Sequence, residues 1–153
     1  MVMTRAQMVQ VLYNIAGEPA VSGETPFTDL TANWYKDAVL WAYQTGVTSG
    51  TSETTFSPND PVTREQAAVL LMGYAEKIAQ VDLSGAQADL SRFPDGDQVS
   101  DWARTQMSAA VALGLISGVP IDGRDYLCPQ DSATREQVAT ILMAFCRNVL
   151  QKS

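Results

Sequence analysis

The chain has 153 residues, of which 46% are hydrophobic, and it carries a formal net charge of −7. This acidic charge argues against binding to nucleic acid or to an anionic membrane surface, because both need clustered Lys and Arg, and no apolar run approaches the roughly 18 residues of a membrane span. The sequence contains no histidine. That excludes His-based catalysis and the usual zinc sites, so neither a metal nor a cofactor is predicted.

The first predicted element is a helix over residues 4–16. Thr4 and Gln7 have the spacing of a capping box, and Gly17 ends the helix. One face of this helix is apolar and consists of Met8, Val11, Leu12 and Ile15. Because the capped helix begins at once, the chain shows no secretory signal, and an extracellular protein would carry that signal outside the chain.

A longer unit follows over residues 27–80. It opens on Phe27 and Asp29 and continues into a helix that is predicted from about Asn33 or Trp34 to Thr45, before Gly46. A loop with Pro58 leads to a second helix over residues 63–80, which begins Thr-Arg-Glu-Gln. The unit is therefore predicted to contain two helices joined by a turn and a loop.

The same unit returns after a linker over residues 81–92. Phe93, Asp95 and Trp102 repeat the first half of the pattern, and a Thr-Arg-Glu-Gln helix over residues 134–150 repeats the second half. The sequence is thus divided into 1–26 (the second half of repeat 1 and a loop), 27–80 (repeat 2), the linker and 93–153 (repeat 3). The first repeat is incomplete in this chain.

An arginine occupies the same place in all three Thr-Arg-x-Gln stretches, at Arg5, Arg64 and Arg135. Thr and Gln are explained by helix capping, but a cation in the first turn opposes the helix dipole. The arginines therefore need an anionic partner. From the residues alone, that partner is either the carboxylate of a ligand or an aspartate of another repeat, for which the candidates are Asp29, Asp37, Asp95 and Asp101.

The repeated unit resembles the S-layer homology (SLH) domain of bacterial cell-surface proteins. The resemblance rests on Phe-x-Asp, the Trp-led helix, the paired glycines, the Pro loop and the Thr-Arg-x-Gln helix start. It implies an all-α fold: a pseudo-threefold bundle of helix-loop-helix units with about five main helices. It also implies non-covalent anchoring to the cell wall, at an extracellular location, through a secondary cell-wall polymer or a peptidoglycan-linked glycan. The polymer commonly bears pyruvate, and Arg contacts it in grooves between repeats.

The candidate ligand-binding residues pair across the repeats, and each pair also has a structural interpretation. The two leading Trp are either sugar platforms or core residues, and the glycines either admit a ligand to the backbone or shape turns. The aspartates either accept sugar hydroxyls or form turns before the Trp helix. Arg64 and Arg135 rank above Arg5, whose repeat is incomplete. The full set is Arg5, Arg64, Arg135, Trp34, Trp102, Asp29, Asp95, Gly50 and Gly118.

No pair of carboxylates stands out as a glycosidase acid and base, so the chain is not predicted to be an enzyme. The alternative function is a degenerate array that acts as a structural or protein–protein interaction module. Its motive is the apolar face of helix 4–16, which lacks the other half of its repeat. That face predicts either a homodimer formed through the incomplete first repeat or coverage by the chain's own linker.

Overall fold

The computed structural model describes residues 1–150 and is mostly helical. The five α-helices are α1 (Arg5–Ile15), α2 (Lys36–Thr45), α3 (Arg64–Lys77), α4 (Arg104–Ala112) and α5 (Arg135–Asn148). Short 3-10 turns lie at Asn33–Tyr35, Leu90–Arg92, Gly96–Gln98 and Asp101–Ala103. The architecture is compatible with the expected helical repeat, and none of the described helices is long and apolar enough to cross a membrane. The expected third repeat extends to residue 153, and its last three residues lie outside the described part.

One element departs from the expected all-α class. Strands β1 (Val119–Ile121) and β2 (Arg124–Tyr126) form an antiparallel hairpin in the loop of repeat 3. Its turn is Asp122-Gly123, and both residues have positive φ, at 52° and 80°. Asp-Gly with two left-handed residues is a preferred two-residue hairpin turn. This local signal was present in the sequence, and it accounts for the longer loop of repeat 3.

The three predicted capping boxes are all confirmed. The amides of Gln7, Gln66 and Gln137 donate to the hydroxyls of their N-cap threonines over 3.1, 3.2 and 3.1 Å. Each Gln side chain accepts from the amide of its own N-cap over 2.9–3.0 Å. Local helix-start chemistry therefore fixes α1, α3 and α5 in the same way.

The residues before the three N-caps bond to one another in a closed ring. The amide of Met3 donates to Ala133 O over 3.1 Å, that of Ala133 donates to Val62 O over 2.8 Å, and that of Val62 donates to Met3 O over 2.8 Å. Each repeat thus gives one hydrogen bond and receives one. The ring brings the starts of α1, α3 and α5 together in a cyclic arrangement, and this arrangement decides which repeats face each other.

The second-half helices of repeats 1 and 2 each pack against the first-half helix of the next repeat. Helix α1 packs on α2, where Tyr13 and Trp41 lie 5.4 Å apart between ring centroids, and α3 packs on α4. Met8 and Leu12 are consequently fully buried, while Val11 and Ile15 are partly buried. Helix α2 covers the α1 face, so the motive for a homodimer through this face is removed.

Candidate ligand-binding groove

A groove of about 710 Å³ lies where the three repeats meet. We call it the Arg5 groove. Arg5 of repeat 1 forms one side, the turn of repeat 2 from Gly46 to Thr51 forms another, and Trp102 of repeat 3 forms a third, with α3 as the floor. The structure therefore brings together one predicted arginine, one predicted glycine (Gly50) and one predicted tryptophan, each from a different repeat.

Arg5 is a buried cation in this groove, with only 4% of its surface exposed. Its Nε donates to Phe56 O over 2.8 Å, and its guanidinium carbon lies 4.7 Å from the centroid of the Phe56 ring. Burial lowers the pKa of Arg5 to about 10, although the negative charges of Asp60 and Asp29 partly offset that effect. The arginine is held firmly by one nitrogen and one ring face.

The terminal nitrogens of Arg5 have no hydrogen-bond partner among residues 1–150. Within residues 1–150 the one ion pair joins Arg104 and Asp101. The alternative in which the repeated arginines pair with an aspartate of another repeat is therefore not seen in the described chain. A desolvated guanidinium without a carboxylate is costly, and an anion in the groove would offset that cost. The geometry of Arg5 therefore fits a ligand carboxylate.

Gln106 is a groove residue that sequence reasoning missed. It lies one turn after Trp102 on α4 and lines the same groove. Its Oε1 atom is buried and has no hydrogen-bond partner in the described chain. Buried polar atoms are almost always paired, so this oxygen is an exception, and a rotation of the side chain would be needed to bring it to a ligand in the groove. Gln106 follows Trp102 by four residues, a spacing that puts two helical side chains on the same face. This spacing is the sequence signal that could have identified Gln106.

Gly50 has a structural requirement as well as a place in the groove wall. Its φ is +88°, and an added Cβ would lie 2.6 Å from Thr55 O and would also clash with the Phe27 ring. Gly118, its counterpart in repeat 3, has φ +98° and would place a Cβ 3.1 Å from Asp125 Cβ. The turn therefore needs glycine at both positions, and at Gly50 the exposed backbone also lines the groove.

The two predicted aspartates position the arginine-binding loops. Asp29 accepts from the amides of Phe56 and Ser57 over 3.0 and 2.8 Å, with one carboxylate oxygen each. Asp95 accepts in the same way from the amides of Leu127 and Cys128 over 2.8 and 2.9 Å. Both carboxylates thus bind the loop that precedes the Thr-Arg helix. The structural role predicted from the sequence was different, namely to form a turn before the Trp-led helix.

The other two arginines occupy different surroundings. Arg64 is 5% exposed, and its Nε donates to Leu127 O over 2.8 Å, as Arg5 does to Phe56. Burial lowers its pKa too. However, within residues 1–150 no tryptophan lies beside Arg64 as Trp102 lies beside Arg5. Arg135 is exposed and makes no side-chain hydrogen bond within the described chain. The geometry therefore favours Arg5, the reverse of the order expected from the sequence.

The two leading tryptophans are surface residues and not core residues. Trp34 is 55% exposed and Trp102 is 57% exposed, whereas the paired aromatics Phe27 and Phe93 are buried. Of the two, Trp102 lines the Arg5 groove and Trp34 does not. Trp34 packs edge-on against Tyr35, with 5.0 Å between ring centroids. The two side chains are matched in exposure and differ in position.

In the described residues, no cluster of acidic and Cys side chains could hold a metal ion.

Comparison with known proteins places these features in a family. The model of the S-layer homology domain matches residues 26–68 and 92–139, which is more than half of the chain. The surface-layer 125 kDa protein of Lysinibacillus sphaericus is 34% identical, over 95% of this chain and 12% of its own length. The amylopullulanase of Thermoanaerobacterium thermosulfurigenes is also 34% identical, over 91% of this chain and 7% of its own length. The chain thus spans only a small part of these relatives.

A solved structure supports the fold. The undecaheme cytochrome from the S-layer of Carboxydothermus ferrireducens superimposes with a TM-score of 0.53 and 17% sequence identity. The match covers 97% of this chain and 18% of the cytochrome chain. At this identity the similarity concerns the arrangement of the helices alone.

Proposed function

Because the chain belongs to the S-layer homology domain family, we propose that it is a non-catalytic module that anchors a protein to the bacterial cell surface. Relatives named as a surface-layer protein and as an amylopullulanase share this region as a small fraction of their length. A region that recurs beside such different activities is suited to attachment rather than to either activity. The location that follows is extracellular, at the cell wall.

The proposed ligand is an anionic secondary cell-wall polysaccharide that bears pyruvate ketals, bound in the Arg5 groove. The observation that carries this proposal is the buried Arg5 guanidinium, which has no carboxylate partner in residues 1–150 and opens on the groove. A ketal carboxylate would take the two free terminal nitrogens of Arg5 in a bidentate contact. The negative charge of the ketal would also offset the cost of burying the arginine and would raise its lowered pKa.

The remaining groove residues suit the sugar ring that carries the carboxylate. The exposed Trp102 ring offers a flat apolar face for stacking. After a rotation of the Gln106 side chain into the groove, its buried and unpaired Oε1 would accept a hydrogen bond from a sugar hydroxyl. The net charge of −7 opposes long-range attraction of an anionic polymer, so affinity would come from these close contacts and not from steering.

Calorimetric titration of the chain with a pyruvylated wall polysaccharide tests this function. The same polymer after mild acid removal of the ketals is the ligand control. We expect saturable binding of the pyruvylated polymer and at least about tenfold weaker binding of the stripped one, equivalent to a loss of about 1.4 kcal/mol. Equal binding of both polymers would refute recognition of the carboxylate.

A pair of variants tests the assignment to this groove. Arg5→Ala removes the groove cation, and Arg64→Ala removes an arginine with the same Nε bond to a loop carbonyl outside the groove. We expect Arg5→Ala to abolish measurable binding and Arg64→Ala to retain it, once each variant is shown to be folded by circular dichroism. Binding that survives Arg5→Ala and is lost with Arg64→Ala would move the site to the other arginine.

A further inference from the structure

The contact of α1 with α2 and the contact of α3 with α4 are equivalent, but they are filled differently. In the first contact the rings of Tyr13 and Trp41 lie 5.4 Å apart between centroids. The residues at the same places in the second contact are Met72 and Ala109. Both of them line a cavity of about 510 Å³, which we call the linker cavity. The replacement of two aromatic rings by smaller side chains therefore accounts for the space between α3 and α4.

The linker between repeats 2 and 3 forms a further wall of this cavity and is tied down at both ends. The amide of Val81 donates to Ala75 O of α3 over 2.8 Å. The hydroxyl of Ser108 on α4 accepts from the amide of Ala88 over 2.8 Å and donates to Ala88 O over 3.0 Å. Between these ties, the hydrogen bonds of residues 82–87 stay within the linker. The linker thus bridges the two helices as a strap and leaves the space beside them open.

The linker cavity adjoins the Arg5 groove. Glu76 of α3 and Gln106 of α4 line both spaces. Gln106 also carries the buried Oε1 atom that has no partner in the described chain. A rotation of this side chain breaks no hydrogen bond of that oxygen and brings it to a ligand that passes from one space to the other. A ligand held in the Arg5 groove can therefore extend past Gln106 into the linker cavity.

The two spaces differ in charge. The Arg5 groove contains the buried guanidinium, whereas the charged side chains that line the linker cavity, Glu76 and Asp82, are both acidic. A second carboxylate-bearing sugar would be repelled there. The other polar side chains that line this cavity are uncharged: Gln80, Ser84, Gln87, Thr105 and Gln106. Amides and hydroxyls of this kind can pair with the hydroxyls of an uncharged sugar.

We propose that the linker cavity binds the uncharged sugars that neighbour the ketal-bearing sugar in the wall polymer. This inference rests on the proposed function and extends it from one sugar to a short oligosaccharide. The ketal carboxylate lies at Arg5, the ring of the same sugar lies on Trp102, and the chain continues past Gln106 to the strap. Each space falls within the range of about 300–1,000 Å³ that is typical of small-molecule sites. The chain thereby recognises the order of charged and uncharged sugars.

Calorimetric titrations with synthetic oligosaccharides of defined length test this proposal. The probes are a pyruvate-ketal monosaccharide and a trisaccharide in which the same sugar is terminal and carries the only ketal. We expect the trisaccharide to bind the full chain at least about tenfold more tightly, because it adds hydrogen bonds in the linker cavity. Equal affinities would overturn the extended site and leave the Arg5 groove in place. Absence of binding by both probes would refute the proposed function together with this extension.

Ala109→Trp fills the linker cavity with the side chain that its equivalent, Trp41, places in the first contact. We expect this variant to keep the affinity for the monosaccharide and to lower that for the trisaccharide to within about twofold of it. Ala139→Trp, at an exposed position of α5 that lines neither space, is the matched control and should bind both probes as the native chain does.

Thr105→Trp provides a second route, since Thr105 is exposed and its replacement covers the cavity without entering the core. A loss confined to the trisaccharide in either cavity variant would support the proposal. Native affinity for the trisaccharide in both variants would overturn it. An equal loss for the two probes would also overturn it, because the cavity would then act only through the shape of the Arg5 groove.

Discussion

The Nε atom of Arg5 donates to the carbonyl of Phe56 over 2.8 Å, and its guanidinium carbon lies 4.7 Å above the ring of the same residue. This double contact joins the helix start of repeat 1 to the loop of repeat 2. The Phe56 amide is held in turn by Asp29 over 3.0 Å. Arg5 is therefore fixed by its inner nitrogen, and its outer nitrogens are left to the groove.

Replacing Arg5 by methionine should separate binding from stability. Met keeps much of the apolar stem and removes a desolvated charge, while Phe56 O loses its donor. Because these effects oppose each other, we expect the free energy of unfolding in urea to change by no more than about 1 kcal/mol. Polymer binding should fall below detection. A loss of about 3 kcal/mol or more would indicate that Arg5 is chiefly a structural residue.

Glu65 should stabilise the contact between repeats 2 and 3, and its equivalent Glu136 should not stabilise the isolated chain. Glu65 is 3% exposed and accepts both hydrogen bonds of Ser100. Glu65→Ala leaves these donors unpaired, and we expect a cost of about 2 kcal/mol in the free energy of unfolding. Glu136→Ala alters an exposed side chain and should cost about 0.5 kcal/mol or less. Equal costs for the two variants in urea denaturation would contradict this asymmetry.

Two glycines with the same backbone conformation allow strain and steric clash to be measured separately. Gly17 has φ +89° and open space around a built Cβ, whereas Gly50 has φ +88° and a Cβ 2.6 Å from Thr55 O. Gly17→Ala should cost about 1 kcal/mol from the left-handed conformation alone. Gly50→Ala should cost at least about 1 kcal/mol more, because the loop must move. Similar thermal midpoints for the two variants would show that the turn at Gly50 yields freely.

The affinity for the anionic polymer should not depend on pH between about pH 6 and pH 9. Burial lowers the pKa of Arg5 to about 10, so the guanidinium remains protonated throughout this window. A ligand carboxylate is ionised above about pH 5, and the chain contains no histidine. Because the base holds its proton only below its pKa, any loss on the alkaline side should begin near pH 10. Calorimetric titrations across the range would contradict this if the affinity changed with a midpoint near pH 7.

The sequence predicted the local chemistry of this fold better than its long-range geometry. The capping boxes at Thr4, Thr63 and Thr134 and the left-handed C-cap at Gly46 depend on a few neighbouring residues, and the structure confirms them. The Arg5 groove depends on three repeats at once. A single repeat contains an arginine, a glycine and a tryptophan, but the cyclic packing combines Arg5 with Gly50 and Trp102.

The same cyclic packing explains why the helix without a partner is α5 and not α1. In the sequence, α1 stands beside the missing half-repeat, so its apolar face is predicted to be covered by a second copy of the chain or by the linker over residues 81–92. In the structure α1 packs on the first helix of the next repeat, and the face without a partner in residues 1–150 belongs to α5, at the far end of the chain. The hydrogen bonds among Met3, Val62 and Ala133 close the ring and place the start of α5 beside that of α1.

The most direct test of the Arg5 groove compares Trp102→Ala with Trp34→Ala in titrations with the pyruvylated polymer. The two side chains are 57% and 55% exposed, so neither substitution should disturb the core. Trp102 lines the groove and Trp34 does not. Stacking on an aromatic ring contributes about 0.5–1.5 kcal/mol, so Trp102→Ala should weaken binding by up to about tenfold while Trp34→Ala leaves it unchanged. Equal losses, or a loss with Trp34→Ala alone, would contradict binding in this groove.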